Sequence, residues 1–468
     1  LYRICEGGRN MQQPRTVILA AGEGTRMKSS LPKVMHSLCG RPILWHVLQA
    51  AEAVASDPVL VVGRGSDQIK DYFGAGLTYV TQEQRLGTGH ALQQALPHLP
   101  ETGELLVLCG DTPLFEAETM EKIVSFHRSS NAAATVVTAR LEDPAGYGRI
   151  VRCEAGKVEG IVEESHASEQ QKAIKEINTG SYCFDLAALH ALLPSLPKNQ
   201  VKGEYYLTDI LPMLLEEGRA VEAFLLDDSQ QAMGVNDRVQ LAQAAALLRQ
   251  RINEQLMRAG VTMMDPVTTY IDVEVEAGPD TVIYPQTILE GQTRVGSNCI
   301  VGPGVHLIDS ELGNEVVCRQ SVVLESTIGD QALVGPYSYL RPGTVIETGA
   351  KIGDFVEIKN STVGRGSKVP HLSYVGDATL ESDVNMGAGS IVVNYDGKKK
   401  HRTHIGQGAF IGCNANLVAP VNIGRDAFIA AGSTITRDVP PGALALSRPE
   451  QEQKEGVGRR FLGKKEKS

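Results

Sequence analysis

The chain is poor in aromatic residues, which make up 5% of its 468 positions with a single Trp among them. It also lacks a basic excess: 45 Lys and Arg face 55 Asp and Glu, a formal net charge of −10. With no broad cationic field, neither nucleic acid nor a membrane surface is expected as a partner. Small anionic substrates remain open, since they need only a local cluster of Arg and Lys. No apolar run approaches the length of a membrane span. The eight cysteines, Cys5, Cys39, Cys109, Cys153, Cys183, Cys299, Cys318 and Cys413, show no C-x-x-C spacing. They read as reduced thiols of a cytoplasmic protein, not as a zinc site or a disulfide frame. Residues 1–10 carry Arg3 and Arg9 but no apolar stretch of a signal peptide, and read as an extension ahead of Met11 without a structural role.

Glycine, by contrast, is abundant at 48 residues, and in the C-terminal half it accompanies a regular beat. Apolar residues recur six apart at Ile405, Ile411, Leu417, Ile423, Ile429 and Ile435. The same step runs through Val316, Val322, Ile328, Val334, Leu340, Ile346, Ile352 and Ile358, and through Ile283, Leu289, Val295, Val301 and Leu307. A period of six suits neither an amphipathic helix nor an alternating strand; it predicts a parallel β-helix of hexapeptide repeats. After Val363, Val369 and Val375 the positions in step are Glu381, Gly387, Val393 and Lys399. Only Val393 is apolar, so an excursion is expected there, with Tyr395-Asp396-Gly397 and Lys398 to Lys400 at its tip. Loops that break a solenoid commonly lie on its binding face.

The N-terminal half alternates short apolar runs (Val17 to Ala20, Pro58 to Val62, Leu105 to Leu108, Ala134 to Val137) with helical stretches such as Pro42 to Val54 and Thr119 to Arg128. This predicts a three-layer α/β domain with a mainly parallel sheet, whose ligands sit beyond the carboxyl ends of the strands. The first run enters Gly22-Glu23-Gly24-Thr25-Arg26-Met27. Met27 stands where a dinucleotide fingerprint needs its third glycine, and no Walker loop is present. A Gly-rich turn with Arg26, followed by Lys33, suits a nucleoside triphosphate instead. Residues 237–259 hold no Gly or Pro and predict a rigid connecting helix.

The stretch Leu19-Ala20-Ala21-Gly22-Glu23-Gly24-Thr25-Arg26-Met27 with Lys33 resembles the signature of sugar-1-phosphate nucleotidylyltransferases. Joined to hexapeptide repeats, residues 14–456 resemble the bifunctional N-acetylglucosamine-1-phosphate uridylyltransferase/glucosamine-1-phosphate acetyltransferase family. The resemblance implies an α/β, Rossmann-like nucleotidylyltransferase domain over residues 11–236 and a connecting helix over 237–259. A left-handed parallel β-helix acetyltransferase domain would follow over 260–456, then a charged tail over 457–468.

The resemblance also implies roles. UTP and UDP-N-acetylglucosamine would lie against Leu19, Ala20, Ala21, Gly22, Lys33, Gln82, Gly87, Thr88, Gly148, Glu163, Asn178 and Asn236, with Mg²⁺ on Asp111 and Asn236. Arg26 and Lys33 would stabilise charge during uridylyl transfer, which needs positioning and neutralisation more than a covalent nucleophile. Glucosamine 1-phosphate would meet Arg341, Lys359, Tyr374 and Asn385; acetyl-CoA would meet Ala388, Asn394, Tyr395, Cys413, Ala431 and Arg448. An amine must be neutral to attack a thioester, and His371 matches the family's general base. The chain departs from the family pattern at Arg85, Cys109 and Cys413, where Gln, Tyr and Ser are usual. The implied enzyme is a cytoplasmic homotrimer that acetylates glucosamine 1-phosphate, then uridylylates the product to UDP-N-acetylglucosamine, a precursor of peptidoglycan and lipopolysaccharide. The rival readings are a nucleotidylyltransferase whose β-helix only assembles it, a non-enzymatic scaffold, and a β-helix metalloenzyme using His306, His371, His401 and His404.

Overall fold

The computed structural model describes residues 13–55, 57–63, 66–200 and 202–463. The expectations for residues 1–10 and for Lys464 to Ser468 lie outside the described residues. The chain divides into two compact units between Leu248 and Arg249.

In the first unit, apart from a small antiparallel ribbon of Ser37–Leu38 with Arg41–Pro42, the described strands form a sheet of nine: β1 (Arg15–Ala20), β2 (Val59–Gly63), β3 (Thr78–Gln82), β4 (Glu104–Cys109), β5 (Ala134–Arg140), β6 (Arg149–Arg152), β7 (Val158–Val162), β8 (Glu176–Asp185) and β9 (Val221–Leu225). The order is β9-β5-β8-β4-β1-β2-β3, with β6 joined to β8 and β7 to β6. Strands β1, β2, β3 and β4 run parallel, while β8 is antiparallel to both β4 and β5. Alternate residues serve opposite faces. Val17, Val59, Val61, Leu105 and Val107 pack on one side with Leu92 and Ile210. Ile18, Leu60, Val62, Leu106 and Leu108 pack on the other with Leu44, Val47 and Ile123. Two covered faces explain why these strands read as continuous apolar runs rather than alternating ones. Met27 is 1% exposed, so the residue that excludes the dinucleotide fingerprint is a core side chain.

The expected connector is the helix Arg238–Arg258. Beyond it, strands of two to four residues stack into three parallel sheets, the strands pairing with the third strand along in every coil but the last, as a β-helix requires. One inward residue marks each strand: Ile352, Ile358, Val363, Val369 and Val375 are all fully buried. No helix among the described residues is long and apolar enough to cross a membrane.

Three details of the repeat differ from the sequence reading. The coils start earlier than Ile283, since Thr262–Met263 and Tyr270–Ile271 already pair in register with later strands. Val322 points outward at 37% exposure, and its neighbour Val323 is the buried one at 0%. The reason is a corner shortened by one residue, which carries Asp309, Gln320 or Glu325 in the left-handed region (φ 45°, 41° and 41°). A similar shortening at Asp377 (φ 50°) moves the inward series to Leu380, Met386 and Val392, each 1% exposed or less. The repeat therefore continues through Glu381 and Gly387. It breaks only after the strand Ile391–Val393, over residues 394–402, before Thr403–Ile405 resumes it.

This register yields a direct check by urea unfolding. Val323→Ala should cost about 2 kcal/mol through lost burial and a residual cavity. Val322→Ala should change stability by less than about 0.5 kcal/mol. Equal effects would contradict the shifted register.

Candidate active sites

A cavity of about 290 Å³ opens at the carboxyl ends of β1, β3 and β4. Leu19, Ala20, Ala21, Gly22, Lys33, Gln82, Gly87, Thr88, Cys109 and Asp111 line it together with Arg85 and Glu204. The Gly-rich turn permits this closeness: Gly24 has φ +64°, and a Cβ there would come within 2.5 Å of Lys33 Cβ. Lys33 then projects its ammonium onto Asp111 Oδ2, and donates to Asn236 Oδ1 at 3.1 Å. Asn236 is held by its own N–H donating to Gln240 Oε1 at 2.8 Å, and the preceding Val235 N–H donates to the Asp111 carbonyl at 2.8 Å. One carboxylate and one amide oxygen thus already share a single positive centre. That hard oxygen pair fits the donor chemistry of Mg²⁺.

Gln82, 4% exposed, donates to the Gly87 carbonyl at 3.0 Å and lies 3.0 Å from His90 Nδ1. Leu207 N–H donates to Thr88 Oγ1 at 3.2 Å, and Gly89 N–H to the Tyr205 carbonyl at 2.8 Å, which fastens residues 204–207 beside the cavity. Arg85 forms an ion pair with Glu23 at 2.8 Å. Arg26 is exposed on its turn and does not line this cavity.

Gly148, Glu163 and Asn178 make a second group. A Cβ on Gly148 would lie 3.7 Å from both Asn178 Cβ and Glu163 Oε1. The strand β8 is irregular here, its register shifting between Asn178 and Tyr182; such bulges re-aim side chains beside functional sites. Asn178 donates to the Tyr182 hydroxyl at 2.8 Å, and Cys109 Sγ reaches the Gly180 carbonyl at 3.3 Å, tying this group to the cavity wall. Burial pushes the Cys109 thiol up to about 12, so it stays protonated. Burial also raises the Glu163 carboxyl above its usual range, Lys202 opposing and Asp209 adding to the shift. Beneath them Arg149, whose side chain is only 2% exposed, bonds the Tyr147 carbonyl and pairs with Glu164 at 2.7 Å.

In the second unit, coil stacking gathers residues far apart in sequence. His371, Ala388, Cys413 and Ala431 each precede a left-handed corner residue: Leu372, Gly389, Asn414 and Gly432. Successive corners are hydrogen-bonded to each other, Gly389 N–H to the His371 carbonyl (3.3 Å), Asn414 N–H to Ala388 (2.8 Å) and Gly432 N–H to Cys413 (2.8 Å). Arg448 donates to the Ala431 carbonyl at 2.9 Å and extends the row. Asn385 lies on the same sheet, paired with Lys368 and Phe410.

At the next corner Arg341 pairs with Glu357 (2.9 Å), and Lys359 meets Lys400, whose ammonium holds Lys359 below the ordinary lysine range. Asn394 donates to Asp377 Oδ2 at 2.6 Å and reaches the Tyr374 hydroxyl at 3.4 Å, while Asn360 donates to Asp377 Oδ1 at 2.6 Å. Burial pushes the Asp377 carboxyl up, but these amides and the Lys400 and Lys359 ammoniums outweigh it and keep Asp377 ionised. Tyr395 is exposed on the excursion. That loop is organised by Asp396, held down to about 2 by the Lys399 amide, the His401 ring and the Lys398 amide.

The four histidines of the metalloenzyme reading face four different carboxylates: His306 with Glu290, His371 with Asp354, His401 with Asp396 and His404 with Glu381. Among the described residues no group of three His, Cys, Asp or Glu could hold a metal ion.

Residues 16–177 match the MobA-like NTP transferase domain, and residues 325–360 and 402–437 match the bacterial transferase hexapeptide (six repeats) family. Along nearly its whole length the chain is 51% identical to the bifunctional protein GlmU of Heliobacterium modesticaldum, covering 98% of this chain and 99% of that one. The chain belongs to the GlmU family. GlmU of a Geobacillus species is 50% identical over 96% of this chain and 98% of its own, and that of Listeria monocytogenes serotype 4a is 47% identical over 96% and 99%. Set in this GlmU frame, several neighbours of the two sites escaped the sequence reading: Glu204 and Tyr205, Arg149, Asp354, Asp377 and Lys400. Lys400 had a signal in the three-lysine tip; Arg149 and Asp354 had none, because their roles depend on strand pairing.

The Glu163 shift gives a test with a fixed sign. The folded protein holds that proton more tightly than the unfolded chain does. Its contribution is therefore fully present below the unfolded glutamate value of about 4.3 and is lost as pH rises through the raised folded value. Glu163→Gln should be more stable than wild type near pH 8, and that advantage should vanish towards about pH 4 in urea unfolding.

Proposed function

We propose that the protein acetylates glucosamine 1-phosphate with acetyl-CoA in its second unit and transfers UMP from UTP to the N-acetylated product in its first. The products are UDP-N-acetylglucosamine and pyrophosphate, and the reading places both reactions in the cytoplasm as a supply for cell-envelope synthesis. Membership of the GlmU family over the whole chain carries this reading. The two separate clusters of polar groups support it.

In the uridylyl site, the sugar phosphate is already a nucleophile and needs no base; it has to be aligned with the α-phosphorus. Gln82, Gly87 and Thr88 would hold the base, and Gly148, Glu163 and Asn178 the sugar. Lys33 and Arg26 would offset charge growing on the triphosphate. Asp111 and Asn236 would hold Mg²⁺, which when bound neutralises and orients phosphate oxygens. In that state the Lys33 ammonium would leave these two oxygens for the phosphates.

In the acetyl site, Arg341, Lys359 and Lys400 would take the phosphate, and the like-charge contact of the two lysines supports an anion between them. Tyr374 and Asn385 would orient the sugar, and His371 would remove the proton as its amine attacks the thioester. The row Ala388, Cys413, Ala431 and Arg448 would carry the CoA chain away from His371. Tyr395 stands exposed on the excursion, which suits a homotrimer in which this loop completes a neighbour's site. Exposed Phe410 and Phe428, stacked at 4.7 Å, offer apolar area for such packing.

Free-thiol release from acetyl-CoA with glucosamine 1-phosphate, without UTP, tests the reading. His371→Ala should lose about 100-fold or more of that rate and keep Mg²⁺-dependent pyrophosphate release; Asp111→Asn should do the reverse. Uridylylation by a wild type that releases no CoA would reduce the β-helix to an assembly module. Sedimentation should give a trimer, and an active monomer would refute the shared site.

A further inference from the structure

No neighbour in the sequence marks a partner for His371, yet the fold supplies one. His371 ends the strand Lys368–His371, and one coil earlier Asp354 ends the strand Lys351–Asp354. The two residues are direct partners in the parallel ladder, and His371 Nδ1 lies 3.0 Å from Asp354 Oδ1. We infer that Asp354 is a positioning residue for acetyl transfer, holding the imidazole with its Nδ1–H on the carboxylate and its Nε2 lone pair free for the substrate amine.

The chemistry of the pair permits one arrangement. An ionised carboxylate only accepts hydrogen bonds, so Nδ1 must carry the proton and Nε2 must be the base. As Nε2 takes the amine proton, the ring becomes cationic beside a fixed negative charge. The thioester carbon bonds to nitrogen, the C–S bond breaks, and the thiolate leaves with CoA and takes up a proton. Asp354 itself stays ionised throughout and touches neither substrate.

The backbone around the pair is constrained on both strands. A Cβ on Gly353 would lie 1.9 Å from the Pro370 carbonyl oxygen, so the two strands touch just before the paired residues. The Gly353 carbonyl accepts from Ser338 Oγ at 2.6 Å. Leu372 N–H donates to the Asp354 carbonyl at 3.0 Å, and the His371 carbonyl accepts from Ser373 Oγ at 2.8 Å. Both side chains are nevertheless open to the surface, 54% exposed for His371 and 42% for Asp354. An exposed ion pair of this kind adds little stability. Its value lies in setting the tautomer and direction of the ring.

This inference rests on His371 being the base, and the test separates the two. Acetyl transfer is measured with the full-length protein for wild type, Asp354→Ala, Asp354→Asn and His371→Ala, with ¹⁵N-histidine NMR of each. Asp354→Ala should lower kcat about 10- to 100-fold, as loss of an orienting partner does elsewhere, with KM for both substrates within about twofold. Asp354→Asn keeps an accepting oxygen but loses the fixed negative charge beside the cationic ring, so its kcat should lie between those of wild type and Asp354→Ala. In the spectra, the resonance absent from His371→Ala should report the Nδ1–H tautomer in wild type and Asp354→Asn, and a tautomer mixture in Asp354→Ala. Unchanged melting would exclude a folding defect. If His371→Ala is inactive while Asp354→Ala keeps wild-type kcat and tautomer, the positioning role is wrong and the base assignment stands. If His371→Ala still transfers acetyl, the base assignment itself falls.

Discussion

Coil-on-coil hydrogen bonding in the β-helix is the constraint on which the second unit depends. Parallel strands repeat at about 4.8 Å, so a residue has as its neighbour the equivalent residue one coil away, not the one next in sequence. Ile352 stacks on Val369 and Ile358 on Val375. Where a coil carries a short corner, the pairing is kept by a residue in the left-handed region, as at Asn360 and Asp377. A chain built this way has little freedom to place a functional side chain elsewhere. Side chains at corresponding corners form rows, and the row through His371, Ala388, Cys413 and Ala431 follows from that rule.

The first unit reaches a comparable end by different means. Its parallel strands β1, β3 and β4 finish at one edge of a sheet whose faces are both covered, so polar groups are concentrated where the backbone emerges. The cavity there joins two kinds of recognition. Backbone and amide groups around Gln82 and Gly87 are rigid and mutually bonded, while Lys33, Asp111 and Asn236 form a compact charged cluster. Arg85 adds a difference of its own. Paired with Glu23 across the mouth, it contributes a cation that is compensated within the same chain.

Electrostatics separates the two sites. Near Asp111 a single ammonium satisfies the acidic side, and near Lys359 two ammoniums meet with Asp377 behind them. Asp377 is itself fixed by Asn360 and Asn394, so the excursion over residues 394–402 is anchored at its root while Tyr395 stays exposed at its start. The loop is thereby both ordered and accessible.

Much of this was legible in the sequence because it is periodic or local. The beat of Ile405 to Ile435 requires a β-helix, since no other regular structure returns every sixth side chain inward. The Gly22 to Met27 turn and the uninterrupted helix-forming stretch after Asn236 carry their meaning in consecutive residues. The family resemblance proposes members for both sites for the same reason. Register was harder to read: a one-residue deletion in a corner leaves a sequence that still looks apolar, so Val322 and Val323 are interchangeable until the neighbouring coils choose between them. Asp354 beside His371 and Arg149 beneath Glu164 lie beyond any local pattern, and the three-lysine tip does not say that Lys400 meets Lys359. Composition and spacing determined which elements this protein forms and which groups it offers. The tertiary structure alone decided which of those groups touch, because contact between residues 15 to 41 apart depends on how the backbone pairs and not on what stands next to them in the chain.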